Sequence, residues 1–143
     1  MAKTYFLVLR EVLVVRKLLS LQSKSDMDIT EKIARVLVPQ EILADFIVVD
    51  VEERSNEWII DLEEKTDRIP DSLQGKDVVL DGFYDSIDLI SGVMMEQVIY
   101  LRIKRRRWKE RGSKKHEHNR YDYQFEGMKT TKRFAAFLKE VDR

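Results

Sequence analysis

The chain has 143 residues and is formally neutral, with 26 Lys plus Arg against 26 Asp plus Glu, yet 36% of it is charged, well above the quarter usual for a globular domain. That length holds one compact domain around a single core. The absence of cysteine excludes disulfides, a thiol nucleophile and any cysteine-ligated zinc or iron–sulfur site, and it fits a reducing compartment such as the cytoplasm.

The apolar opening, Tyr5 to Leu21, reads as a helix rather than a strand, because it is too long for one strand and holds no Gly or Pro. Arg10, Glu11, Arg16 and Lys17 interrupt it, so neither a signal peptide nor a membrane span is expected. With its polar linker, Gln22 to Asp28, it forms an extension over residues 1–28 that needs cover from another copy or another protein, a route to homo-oligomers through residues 5–21. Residues 29–143 are expected to form a single α+β domain. A short helix carrying Ile33, Val36 and Leu37 ends at Pro39, and Pro39 to Phe46 adds one or two helical turns.

Phe46–Glu53 and Glu57–Glu64 read as an antiparallel hairpin turning at Ser55-Asn56, with Trp58, Ile60 and Leu62 on one side. Lys76–Phe83 is a third strand, Asp85–Ser91 a connection, and Val93–Trp108 a long fourth strand. Lys109–Asn119 has no apolar residue and is expected to be a mobile basic loop. Tyr121–Phe125 returns as a strand, and Thr130 or Thr131 caps a closing helix, Lys132–Val141, whose apolar side is Phe134, Phe137, Leu138 and Val141. Connections this short favour antiparallel pairing, so the expected sheet has four to five antiparallel strands, with N-terminal helices and a short C-terminal helix.

Neutrality hides segregation. Pro39 to Ile90 carries 15 acidic against 4 basic residues, and Tyr100 to Arg143 carries 15 basic against 6 acidic. In V-I-Y-L-R-I-K-R-R-R-W, alternation sends Ile99, Leu101 and Ile103 to one face and Tyr100, Arg102, Lys104 and Arg106 to the other. Such a ribbon is either a solvated face neutralised by neighbouring carboxylates or a phosphate-contacting surface. On the second reading Arg102, Lys104, Arg105, Arg106 and Arg107 meet phosphates and Trp108 stacks or wedges, while Lys114, Lys115, Arg120, Lys129, Lys132 and Arg133 widen the surface. The last two sit at a helix start, where free N–H groups also suit a phosphate.

Motifs for catalysis are absent: there is no glycine-rich phosphate cradle and no nucleophile elbow. His116-Glu-His118 lacks the third and fourth ligands a metal requires. No cofactor, no metal and no catalytic residue is expected.

Y-L-R-I-K-R-R-R-W from Tyr100 to Trp108, the polar loop, the aromatic return strand and G-M-K-T-T-K-R-F-A-A-F-L-K-E-V from Gly127 to Val141 resemble the N-terminal region of a class of bacterial insertion-sequence transposases. E-I-L-A-D-F-I-V-V-D-V-E-E and W-I-I-D-L-E-E-K are similar to its opening, so the likeness runs from Pro39 to Arg143. In some such elements this region is a separate small reading frame before the frame for a DDE nuclease. The resemblance implies a DNA-binding or accessory module without chemistry of its own, whose partners are duplex DNA at transposon ends and a DDE transposase subunit. In larger relatives the basic strand belongs to a cysteine-ligated zinc module, which this cysteine-free chain excludes. The alternative is a protein-interaction or assembly domain with no nucleic-acid contact.

Overall fold

The computed structural model describes Ile29, residues 31–124 and residues 127–143. The helix expected at Tyr5–Leu21, its linker and Phe125 lie outside the described residues. Contacts divide the chain into two compact units, Met1–Ile33 and Ala34–Arg143, and the second carries every strand among the described residues.

Helix α1 covers residues 31–37. Ala34 and Val38, four residues apart and so on one face, are buried, whereas Val36 is 84% exposed. Of the expected Ile33–Val36–Leu37 side, Leu37 packs against the core, whereas Ile33 and Val36 are exposed. Pro39, at φ −54°, leads into the single turn α2 (Gln40–Leu43), which buries Ile42.

The strands are β1 (Phe46–Glu53), β2 (Glu57–Glu64), β3 (Val78–Phe83), β4 (Ile87–Met94), β5 (Gln97–Lys104) and β6 (Arg106–Glu110). Four form a sheet in the order β1-β2-β5-β4, and β3 pairs with β6 in a separate antiparallel ribbon. With the closing helix α3 (Lys132–Val141), this is the α+β architecture that the sequence implies. The sheet is mixed, however: β2 and β5 run parallel, from Glu57 beside Val98 to Glu63 beside Lys104. Short connections dictate antiparallel pairing only between successive strands. Here β3 and β4 intervene between the parallel pair, and the chain from Lys65 to Glu96 is long enough to bring β5 round.

The expected long strand Val93–Trp108 is broken twice. Met95 and Glu96, at φ 48° and 65°, make a two-residue hairpin turn, and the expected connection at Asp85–Ser91 becomes most of β4. Positive φ at both turn residues matches a type I′ geometry, normally signalled by Asn or Gly, neither of which is present here. The second break, at Arg105, separates β5 from β6.

One face of the sheet packs Phe46, Ile60, Leu62, Leu89, Ile99, Leu101 and Ile103 into the core. The alternation of Ile99, Leu101 and Ile103 places all three inward, each full burial stabilising by about 1.5–3 kcal/mol. Residues 121–124 form no strand of the sheet; Gln124 bridges Thr131 and the Tyr123 carbonyl accepts from Lys132 N at 2.9 Å. They act as a cover: Tyr121 lies edge-on to Phe46 at 4.9 Å and stacks on Tyr123 at 5.4 Å. Thr131 caps α3, its Oγ1 accepting from Phe134 N at 3.2 Å. Of the expected apolar side of that helix, Phe137, Leu138 and Val141 stay exposed, and Ala135 is buried instead.

Glu64, fully buried at the end of β2, is the polar centre of the fold. Its carboxylate accepts from Arg106 N at 2.7 Å, from Asn119 Nδ2 at 2.5 Å and from the Tyr121 hydroxyl, and Arg106 Nε donates to the Glu64 carbonyl at 2.6 Å. Asn119 is thus anchored, and Glu117 exchanges two backbone hydrogen bonds with Trp108. Lys109–Asn119, expected as a mobile loop, has partners of its own in the fold. Residues 109 and 110 complete β6, and the rest folds back along that strand. An apolar count misses this because polar hydrogen bonds do the anchoring. Glu64→Ala removes an acceptor from three donors, of which Asn119 Nδ2 keeps its bond to the Arg68 carbonyl, and is expected to cost about 2–4 kcal/mol, with Glu64→Gln milder. Chemical denaturation measures both, and an unchanged midpoint for the alanine variant would contradict this role.

Candidate nucleic-acid interface

The outward face of β5 is not a free row of cations. Register places Asp61 on one side of Arg102 and Asp88 on the other, and Arg102 Nε meets Asp88 Oδ1 at 3.1 Å. Lys104, half-buried, stands beside Glu63. Arg106 is held by Glu64, and its guanidinium lies 4.7 Å from the centre of the Phe83 ring. The acidic strands neutralise the basic one across the ladder, as oppositely charged neighbours do. Trp108 is 2% exposed, so its indole is part of the interior and presents no plane for a base.

Beyond the break the cations are arranged differently. β3 carries a bulge: Leu80 pairs with Trp108 and Phe83 with Arg106, leaving Asp81 and Gly82 opposite Arg107 alone. Gly82 sits at φ 75°, a conformation costly for any residue with a Cβ. The bulge brings Asp81 Oδ2 to 2.5 Å from His116 Nε2, 3.8 Å from Arg107 Nη2 and 3.7 Å from Lys109 Nζ. Just after β3, Tyr84 N donates to the Arg105 carbonyl at 2.9 Å. The Tyr84 ring has the Arg105 guanidinium 5.7 Å from its centre, that of Arg107 at 6.0 Å and the His118 ring edge-on at 5.5 Å.

Arg107 and Lys109 therefore share the Asp81 carboxylate, and Arg107 shares the Tyr84 ring with Arg105. No ion pair with a described residue engages Arg105, whose Nε is buried without an acceptor. A guanidinium against a ring keeps its N–H edge for another acceptor, and a phosphate fits that fork. The hydrogen bond from His116, followed by the charge of Lys109, holds the Asp81 carboxyl below the usual carboxylate range. On the other side of Glu64, burial and then the hydrogen bond to that carboxylate push the Tyr121 hydroxyl well above its ordinary value.

The remaining expected contacts are scattered. Lys114 and Arg120 are exposed, and Lys115 pairs with Glu117 at 3.0 Å. Lys129 is exposed while its carbonyl accepts from Ile90 N, Lys132 pairs with Asp122, and Arg133 is exposed on α3. Thr131 already occupies one N–H at that helix start. Tyr84, Asp81 and His118 join this group without being marked by the basic run itself. The pair Asp81-Gly82 within a strand was the available signal, since Gly there marks a bulge. Among the described residues no group of three or more His, Asp or Glu is placed to hold a metal ion, and no helix is long and apolar enough to cross a membrane.

Searches of protein-family models, curated proteins and solved structures found no match to this chain.

Asp81 gives a pH signature. Its folded-state pKa is depressed, so its contribution to stability is present above the unfolded value of about 3.9 and is lost as pH falls through the lower folded value. The Tm gap between the native chain and Asp81→Asn is therefore expected to hold near pH 5 and to close as pH falls below about 3.9. A gap unchanged across that range in thermal melts would show that the carboxylate is not engaged as described.

Proposed function

We propose that this chain is a DNA-contacting, accessory N-terminal module of an insertion-sequence transposase, acting in the cytoplasm without catalysis of its own. The DDE nuclease is a separate polypeptide and a partner of the module. The contact surface lies at the β5–β6 break rather than on the outward face of β5. Arg105 and Arg107 take phosphates, Lys109 adds charge, and Tyr84 with His118 supplies the apolar backing that orients the guanidinium groups. The observation that carries this reading is the surplus of cations at the ribbon: Arg105 and Arg107 lie on the Tyr84 ring and Lys109 beside Asp81, whose carboxylate meets two of the three. Two Arg forks and a Lys form a sequence-independent grip, because phosphates position a protein on DNA and base edges specify sequence. The likeness of Tyr100–Trp108 and Gly127–Val141 to the transposase region supplies the biological setting.

Fluorescence anisotropy on a short duplex tests it. Two or three phosphate contacts give a log–log salt slope of roughly −2 to −3, at about −0.9 per contact. Arg105→Ala with Arg107→Ala is expected to flatten that slope by about two contacts, whereas Arg102→Ala, whose side chain is committed to Asp88, leaves it nearly unchanged. No binding at low salt, or an equal loss in both variants, would overturn the assignment.

A further inference from the structure

We infer that α3 is a self-association surface, on which a second copy of this chain packs antiparallel across a two-fold axis. Phe137 is 56%, Leu138 40% and Val141 67% exposed, although with Phe134 they form the one apolar stripe of the helix. An amphipathic helix that turns its stripe to solvent leaves that stripe free for another surface. The apolar area continues beside it into a cleft of about 280 Å³ between α3, residues 36–39 and β4, where Val93 is 58% exposed.

The order of residues along the helix selects the occupant. In an antiparallel pair centred between Phe137 and Leu138, Phe134 faces Val141 of the partner subunit and Phe137 faces Leu138 of the partner subunit, so larger rings meet smaller side chains at every level. Arg133 and Glu140, seven residues apart and hence on one flank, are both exposed. Neither has an ion-pair partner among the described residues, and the two-fold brings Arg133 against Glu140 of the partner subunit twice. A stripe complementary to itself in both size and charge is what an isologous interface requires. The patch is small beside the 1,200–2,000 Å² of a typical stable interface, so a weak, reversible dimer in the range of tens of µM is expected. This inference does not depend on DNA contact.

Sedimentation of the full chain from about 5 to 200 µM reads the association directly. A monomer–dimer equilibrium is expected for the native chain, and Phe137→Glu should remain monomeric across the range. Arg133→Glu alone should weaken the dimer roughly fivefold, and Arg133→Glu combined with Glu140→Arg should restore it to within about twofold. Restoration by the swap separates a lost contact from a lost fold, as do unchanged circular dichroism spectra of each variant. A monomer at the highest concentration, a dimer indifferent to Phe137→Glu, or a swap that restores nothing would overturn the inference.

Discussion

A carboxylate buried at the end of β2 determines where the basic strand goes once it leaves the core. Taking a charge out of water is costly unless it is well hydrogen-bonded, and among the described residues no cationic side chain is bonded to the Glu64 carboxylate oxygens. It is satisfied by neutral donors from three later points in the chain: the amide of Arg106, the side chain of Asn119 and the hydroxyl of Tyr121. The Arg106 amide can reach it only if β5 ceases to run beside β2 after Lys104. The break at Arg105 is the geometric consequence, and from there β6 pairs with β3. One hydrogen-bonded group thus positions the arginines on either side of the break, and the same group secures the loop and the tyrosine cover.

The segregation of charge along the sequence is largely undone in space. Acidic β1, β2 and β4 lie in one sheet with basic β5, and Arg102 is bracketed by Asp61 and Asp88. Where β5 ends the neutralisation is weaker, because among the described residues Arg107 and Lys109 both pair with Asp81. An anion approaching the chain meets a largely compensated sheet and a less compensated ribbon, and the ribbon is where it gains most.

Much of the architecture could be read from the residues. Alternation in Ile60–Leu62 and Ile99–Ile103 located the core face, although Trp58 is only half-buried, and Thr131 marked the start of α3, since each depends on local side-chain chemistry. Other features depend on distant parts of the chain. The Met95-Glu96 turn carries no Gly or Asn to announce it, so β4 was hidden in an apparent connection. The parallel pairing of β2 with β5 joins segments more than 30 residues apart. The candidate site was half legible: the cations were visible as a run, but which of them are compensated was set by strand register and by a bulge at Asp81-Gly82. Trp108 shows the same limit, because an aromatic beside five cations looks like a ligand platform until the tertiary structure buries it.

The most direct test of the central claim, that the β5–β6 break is the DNA-contacting surface, is a side-chain and amide NMR titration of the full chain with a short duplex. The expected result is that the Arg105 and Arg107 guanidinium signals, the Tyr84 ring and the His118 imidazole shift together, while Arg102 and Asp88 stay in place. Shifts centred on Arg102 and Lys104 with the Tyr84 group unmoved would contradict it.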